Sequence, residues 1–393
     1  MKTNILASLL MFTFCSIANA YPEFIAYGYT TCMTCHQNGS GNGPLNDYGR
    51  ALWAGELSSR IVFPKKMTDE QVAATSGFFG SKELPYWIRP HIKYRGLNLR
   101  TNPGSGTQDT TKFYQMQAEA GLTTQADVDG KYAAVMTWAN MSAPENYGKG
   151  DQGFKRMLTK ELYLRIEVMQ NTWLYAGLMD RVYGLRTADH TSYQRSWQGF
   201  NTRTNTQDGI IQSTGVIAHR VEDNWEVALN LFNGNPHDDL AYRQKGASLF
   251  SEFTVGEYKR LGASVMSERS DVLKKDMMAI HYRQQAGKGG ALLFEYGIVK
   301  DTLTGADAKT GSYNLLEGFF PLIRGYNLKA SVERYNKEFK ASEPDYWKNS
   351  VGLFFFPLPR TEMRADLVNT RNFSNQTANE DGWSILGQIH ASL

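Results

Sequence analysis

The sequence predicts a mainly β protein: a transmembrane antiparallel β-barrel of about sixteen strands with a small α-helical domain at its N-terminus. Three observations point there. From about residue 86 to the last residue, segment after segment alternates apolar and polar side chains with a period of two. Long polar connections alternate with short turns along nearly all of that stretch. The chain holds 8 Trp, 21 Tyr and 20 Phe, yet its mean hydropathy is −0.44. That balance suits strands that are apolar on one face only.

In chain order, the first element is an export signal. Met1-Lys2-Thr3-Asn4 is a short basic start, an apolar run extends from Ile5 to Ile17, and Ala18-Asn19-Ala20 is a small-x-small cleavage site. Residues 1–20 therefore read as a secretory signal peptide cleaved after Ala20, with Tyr21 starting the mature chain. The run is too short for a permanent anchor. Phe12-Thr13-Phe14 is too bulky, ahead of Cys15, for a lipoprotein box. Cys15 leaves with the signal, so of the 3 cysteines only Cys32 and Cys35 stay. Export with such sparing cysteine use points to a Gram-negative envelope.

Cys32-Met33-Thr34-Cys35-His36 carries the chemistry. Cys-x-x-Cys-His is the attachment pattern of a c-type haem. Two thiols at this spacing reach two vinyl groups of one porphyrin, and the next residue lies under the ring as an iron ligand. Other uses of the residues fit less well. Four-thiolate zinc needs two further cysteines. A redox dithiol belongs at a strand-to-helix turn in a βαβ unit, which the flanks Tyr27–Thr31 and Gln37–Gly41 do not suggest. A disulfide leaves His36 unexplained. The expected cofactor is one covalent haem c on Cys32, Cys35 and His36, with His36 on the iron. The second iron ligand is open between Met67, His91 and none, an open or water-bound position; His281 and His390 also share the inward face.

Residues 21–85 read as a monohaem cytochrome domain. One helical stretch starts near Pro44-Leu45-Asn46 and runs past Tyr48, Leu52 and Trp53 towards Leu57. A second has a capping box from Thr68 to Gln71 before Val72-Ala73-Ala74. Gly39 to Gly43 reads as a flexible link. About 65 residues bury little apolar area alone. A covalent haem, or docking into the barrel mouth or lumen as a plug, is expected to complete the core.

Residues 86–393 read as the barrel, with strands at 86–99, 112–122, 131–141, 158–169, 172–183, 209–221, 224–233, 247–257, 260–268, 275–285, 290–300, 311–323, 325–336, 345–357, 361–370 and 382–393. Leu162, Leu164, Ile166 and Val168, for example, alternate with Glu161, Tyr163, Arg165 and Glu167. Long connections fall at 100–111, 142–157, 184–208, 234–246, 301–310 and 371–381. Short turns fall at 170–171, 222–223, 286–289 and 358–360. The connection 123–130 is long for a turn and is the weakest point of the pattern. A soluble sandwich or propeller has no reason to alternate long and short, whereas an outer-membrane barrel does. Glu119, Arg165, Glu167, Glu226, Glu295, Lys329, Glu333, Arg364 and Asp366 share the polar face. Charges belong on a wet inner wall, because on the lipid face each costs up to about 2–4 kcal/mol. Tyr86, Trp87, Trp138, Tyr346 and Trp347 near strand ends suit interface girdles. The last strand carries Trp383 and ends on Leu393. The formal net charge of +3 implies no nucleic acid.

An exported chain with one N-terminal Cys-x-x-Cys-His followed by such a barrel resembles the fused monohaem cytochrome–porins, known best from iron-oxidising bacteria. The motif match covers Pro22-x-Phe24 before the haem pattern and Pro44-Leu45-Asn46-x-x-Gly49-Arg50 after it. The glycine-rich spacer from His36 to Pro44 and the second helical stretch depart from the family pattern. The resemblance implies an outer-membrane electron-transfer protein, with oxidoreductase activity such as iron oxidation. It would relay single electrons through one haem between an extracellular donor or acceptor, such as ferrous iron, and a periplasmic cytochrome or other carrier. Two rival expectations stand beside it: a solute-conducting porin whose haem domain is a gate or sensor, and a soluble periplasmic haem enzyme.

Overall fold

In the computed structural model sixteen strands close into one antiparallel barrel. They are β1 (Ile88–Thr101), β2 (Thr110–Gln125), β3 (Tyr132–Asn140), β4 (Met157–Met169), β5 (Thr172–Asp180), β6 (Gln212–Glu222), β7 (Trp225–Asn233), β8 (Lys245–Gly256), β9 (Lys259–Arg269), β10 (Leu273–Gln285), β11 (Ala291–Leu303), β12 (Lys309–Ile323), β13 (Tyr326–Asn336), β14 (Asp345–Leu358), β15 (Thr361–Phe373) and β16 (Glu380–Ser392). Each pairs with its sequence neighbours, and β1 pairs with β16 to close the ring. The structure describes residues 22–39, 41, 43–61, 66–74, 84–104, 106–140, 157–185, 191–198, 212–238, 240–340, 345–373 and 380–393. The signal segment with Cys15 and the connection 141–156 lie outside the described residues.

Every segment of the alternation has its strand. β2 runs on to Gln125 because Thr123, Thr124 and Gln125 pair with Val135, Ala134 and Ala133 of β3, so the doubtful connection shrinks to a turn. β5 ends at Asp180, short of residue 183, because Arg181 to Leu185 leave the wall and are buried inside.

Alternation becomes a division between lipid and lumen. On β4, Leu162, Leu164, Ile166 and Val168 point outwards and are 38–55 % exposed, while Tyr163 and Arg165 are buried inside. An apolar belt of this kind is stable only against hydrocarbon. The charged residues of the other face pair across strands: Lys329 with Glu317 at 2.7 Å, Lys348 with Glu333 at 2.8 Å, and Arg260 with Glu252 at 3.0 Å. Among the described residues no helix is long and apolar enough to cross a membrane; the strands do the crossing.

One barrel end carries tight turns, at 170–171, 223–224, 257–258, 324–325 and 359–360. Asn171 and Arg360 sit there at φ 61° and 54°, the left-handed region a two-residue hairpin requires. Short turns mark the periplasmic, inner end. The connections at the other, outer end are longer, except for the three-residue link 270–272 between β9 and β10. Exposed Tyr86 and Trp87 lie at the inner end and exposed Trp138 at the outer.

The N-terminal residues occupy the inner mouth. Here lie helices α1 (Asp47–Leu52), continued by a π-helical turn Trp53–Leu57, and α2 (Asp69–Ala74). The capping box forms as read: the Thr68 amide donates to Gln71 Oε1 at 2.8 Å, and the Gln71 amide to Thr68 Oγ1 at 3.3 Å. Phe24, Ile25, Ala26, Trp53 and Leu57 form one apolar cluster with Leu293, Phe319, Phe354 and Phe356 of the barrel wall. The domain core is thus completed by the barrel, as 65 residues alone require. The Gly39–Gly43 link departs from its reading as a flexible tether. Gly39, Gly41 and Gly43 are buried, and a Cβ on Gly39 would fall 2.3 Å from Nδ1 of His219. Glycine serves close approach to the wall here.

Candidate functional site

The Cys32–His36 segment is a tight turn inside the lumen. Cys32–Thr34 forms one 3₁₀ turn, with the amides of Cys35 and His36 donating to the Cys32 carbonyl at 3.3 and 3.1 Å. Cys32 and Cys35 are both buried and no disulfide joins them. Burial, then the neighbouring Cys32, pushes the Cys35 thiol far up.

Asn46 ties this turn to α1. Its Nδ2 donates to the carbonyls of Thr34 at 3.0 Å and Met33 at 3.3 Å, and its amide to that of Cys35 at 2.8 Å. Its Oδ1 caps the helix by accepting from the Gly49 amide at 2.8 Å. A Cβ on Gly49 would lie 2.5 Å from the Cys35 carbonyl oxygen, so only glycine lets the helix approach this closely. Leu45 bridges His36 in an isolated β-pair. Three residues of the Pro44–Arg50 motif, Leu45, Asn46 and Gly49, therefore hold the thiol turn from below.

His36 is fixed by its ring. Nδ1 lies 2.9 Å from the Gly43 carbonyl. A carbonyl only accepts, so Nδ1 carries the proton and Nε2 the lone pair. Burial, reinforced by nearby Lys93 and opposed by the Gly43 bond, pushes the imidazole down to about 3. The ring is neutral, the form a metal binds. Lys93 on β1 donates to the same carbonyl at 2.7 Å. Tyr175 on β5 reaches Met33 Sδ at 3.1 Å, and Arg165 on β4 donates to the Gln37 carbonyl at 3.2 Å.

Four further histidines face inwards near the inner ends of their strands, each beside a carboxylate. His219 Nε2 lies 2.9 Å from Glu226, His281 Nε2 3.4 Å from Glu252, and His390 Nδ1 3.3 Å from Glu362. His91 Nε2 meets Thr137 Oγ1 at 3.1 Å, and Thr137 donates to Glu161 at 3.0 Å. His219 is missing from the sequence candidates, although alternation sets it on the face of buried Ile217. The two candidates for a second iron ligand part here. Met67 sits where Arg60 donates to its carbonyl, beside the Arg60–Asp69 pair. His91 is in the lumen wall, and among the described residues its buried Nδ1 has no hydrogen-bond partner. Gln37 Oε1, Glu161 Oε1 and Tyr163 OH are likewise buried without one. Two thiols on one turn, an oriented neutral imidazole and several orphaned polar atoms are a donor set that fits a covalent haem. Among the described residues no cluster of three or more His, Cys, Asp or Glu side chains could hold a bare metal ion.

A second insert comes from the outer side. After β5 the chain turns inwards through Arg181–Leu185, and helix α3 (Tyr193–Gln198) lies in the lumen. Ser192 Oγ donates to Glu333 at 2.6 Å, and Gln198 Nε2 to Glu295 at 2.8 Å. Leu185 joins the apolar cluster of Phe24, Ile25 and Trp53, so the two inserts meet.

No protein-family model matches the chain, and a search of curated proteins finds no match. Solved structures do resemble it. The outer-membrane expressed OmpT of Vibrio cholerae has a TM-score of 0.59 at 12 % identity, covering 79 % of this chain and 99 % of that one. An anion-selective porin from Comamonas acidovorans gives 0.57 at 11 %, covering 78 % and 99 %. The outer membrane channel DcaP of Acinetobacter baumannii gives 0.54 at 9 %, covering 78 % and 97 %. At such identities the likeness is of fold. Closed ring, lipid-facing belt and charged lumen together define the class: a sixteen-stranded β-barrel of the Gram-negative outer membrane, with the fold of the porins. The soluble alternative is thereby overturned, because so many outward apolar side chains have no place in water.

Proposed function

We propose that this protein is an outer-membrane cytochrome-porin that relays single electrons across the outer membrane. Cys32 and Cys35 hold one haem through thioethers, and His36 ligates its iron. Bound there, the haem supplies a one-electron iron couple that cycles without moving heavy atoms. The chain's own residues do the rest. The Gly43 carbonyl fixes the His36 tautomer, Asn46 and Gly49 hold the thiol turn, and the barrel keeps backbone polar groups away from lipid. The partners are an extracellular donor or acceptor, ferrous iron by family resemblance, and a periplasmic electron carrier. The observation that carries this is the burial of the Cys32–His36 turn within the lumen, with Met33 against Tyr175 of the wall. A redox group held there, inside the barrel on its inner side, stands closer to the outer face than a carrier free in the periplasm.

The test uses proteoliposomes with cytochrome trapped inside. An impermeant reductant outside is expected to reduce it only with the haem-loaded protein; no reduction would sink the proposal. A second reading, a solute porin with a haem gate, is favoured by the porin fold itself. Planar-bilayer conductance separates the two: two inserts in one lumen predict little current, and a large open current from the loaded protein would select the porin.

A further inference from the structure

Outside the lumen, the outer rim carries more cations than nearby carboxylates offset. On the lipid-facing side, Asn233 of β7 pairs with Lys245 of β8, Lys245 with Arg269 of β9, and Arg269 with Lys274 of β10. Directly opposed side chains on one sheet face sit about 5 Å apart, and like charges there repel. Lys274 reaches Asp276 at 3.1 Å. The same carboxylate also attracts Arg269, whereas among the described residues Lys245 forms no ion pair. Just beyond them the link 270–272 is only three residues long, while the neighbouring connection 234–244 is longer. Between them is a notch of about 640 Å³ lined by Asn233, Leu240, Arg243, Lys245, Arg269 and Asp271. Arg243 is anchored there by donating to the carbonyls of Asp238 and Pro236, both at 2.9 Å.

The level of this notch identifies its occupant. Two steps down the same outward faces, past Ala247, Ser267 and Asp276, come Leu249, Val265 and Met278, 42–55 % exposed and part of the apolar belt. The cations therefore stand at the headgroup layer of the outer leaflet. We propose that the notch binds a phosphorylated glycolipid headgroup of that leaflet. Its phosphates neutralise Lys245, Arg269 and Arg243, and its acyl chains continue down the belt. Leu240, 75 % exposed, is the apolar flank that such a lipid covers.

The full-length protein in detergent micelles is titrated with bis-phosphorylated lipid A, with its dephosphorylated form and with inorganic phosphate, and binding is read by native mass spectrometry. The phosphorylated lipid is expected to bind at least about tenfold more tightly than the dephosphorylated one, and inorganic phosphate to leave it bound. Lys245→Gln with Arg269→Gln lowers that affinity about tenfold, with the heat-dependent gel mobility of the barrel unchanged. Equal binding of the two lipids by the unaltered protein overturns the proposal, whatever the variant does. Displacement by inorganic phosphate at the lipid's own concentration also overturns it, since the notch would then be a free-anion site.

Discussion

Residues 22–57 enter the lumen from the inner mouth and dock by an apolar cluster, whereas the described residues 181–185 and 191–198 enter from the outer side and add buried carboxylate contacts to the apolar packing of Val182, Tyr183 and Leu185. The inner insert packs Phe24, Ile25 and Trp53 on Leu293, Phe319 and Phe356. The outer one hangs on Glu333, Glu295 and Glu268, which take Ser192, Gln198 and Arg181. Apolar docking is non-directional and insensitive to charge. Carboxylate docking is specific and fails when one charge is lost. The difference teaches that one barrel can seat one insert chiefly by burial and orient another through charge.

The largest effect should come from Glu333→Gln. It removes the carboxylate shared by Lys348, Ser192 and the Gln194 amide, and breaking a buried pair costs about 3–5 kcal/mol. Limited proteolysis within 181–198 is expected to speed up while cleavage in 22–57 stays slow; equal protection of both would break the contrast. Ile25→Ala, at a side chain with 0 % exposure, should cost about 2–5 kcal/mol. Here the order reverses: the inner insert becomes cleavable in denaturant well before the barrel loses heat-dependent gel mobility. Gly49→Ala drives a Cβ against the Cys35 carbonyl and is expected to cost about 1–3 kcal/mol. Its readout is a lower yield of covalent haem at unchanged barrel yield, which tests the thiol turn separately from the docking surface. The smallest effect is with pH. Burial raises the Asp69 carboxyl, but bonds from Arg324 and Arg60 outweigh it and leave it below its ordinary value. A lowered carboxylate stabilises above its unfolded value and stops doing so as pH falls through the folded one. Inner-insert protection should therefore decline somewhat below about pH 4, and Asp69→Asn should flatten that decline.

The strands were legible because a wall with lipid on one side and polar groups on the other forces a period of two, and Leu162 to Val168 obey it. The inner insert was half legible. The cysteines, His36, Asn46 and Gly49 read as a haem motif, yet their seat inside the lumen did not. A signal for the seat exists: the inner ends of β11, β12 and β14 read Ala291-Leu292-Leu293-Phe294, Phe319-Phe320 and Leu353 to Phe356. Apolar residues on both faces of a strand mean something apolar also lies within. The outer insert was illegible, because residues 184–208 are polar like any exposed loop, and their partners Glu295 and Glu333 are far away in sequence. Alternation cannot say whether a lumen carboxylate faces water or a loop.

Docking sets a clock. β1 and β16 form the seam that closes the wall. Cys32 and Cys35 precede the wall and finish buried within it, 6 % and 2 % exposed. Any enzyme that modifies those thiols must act on them before the inner insert docks against the wall. On the proposed function this sets an order of assembly: haem attachment first, docking second.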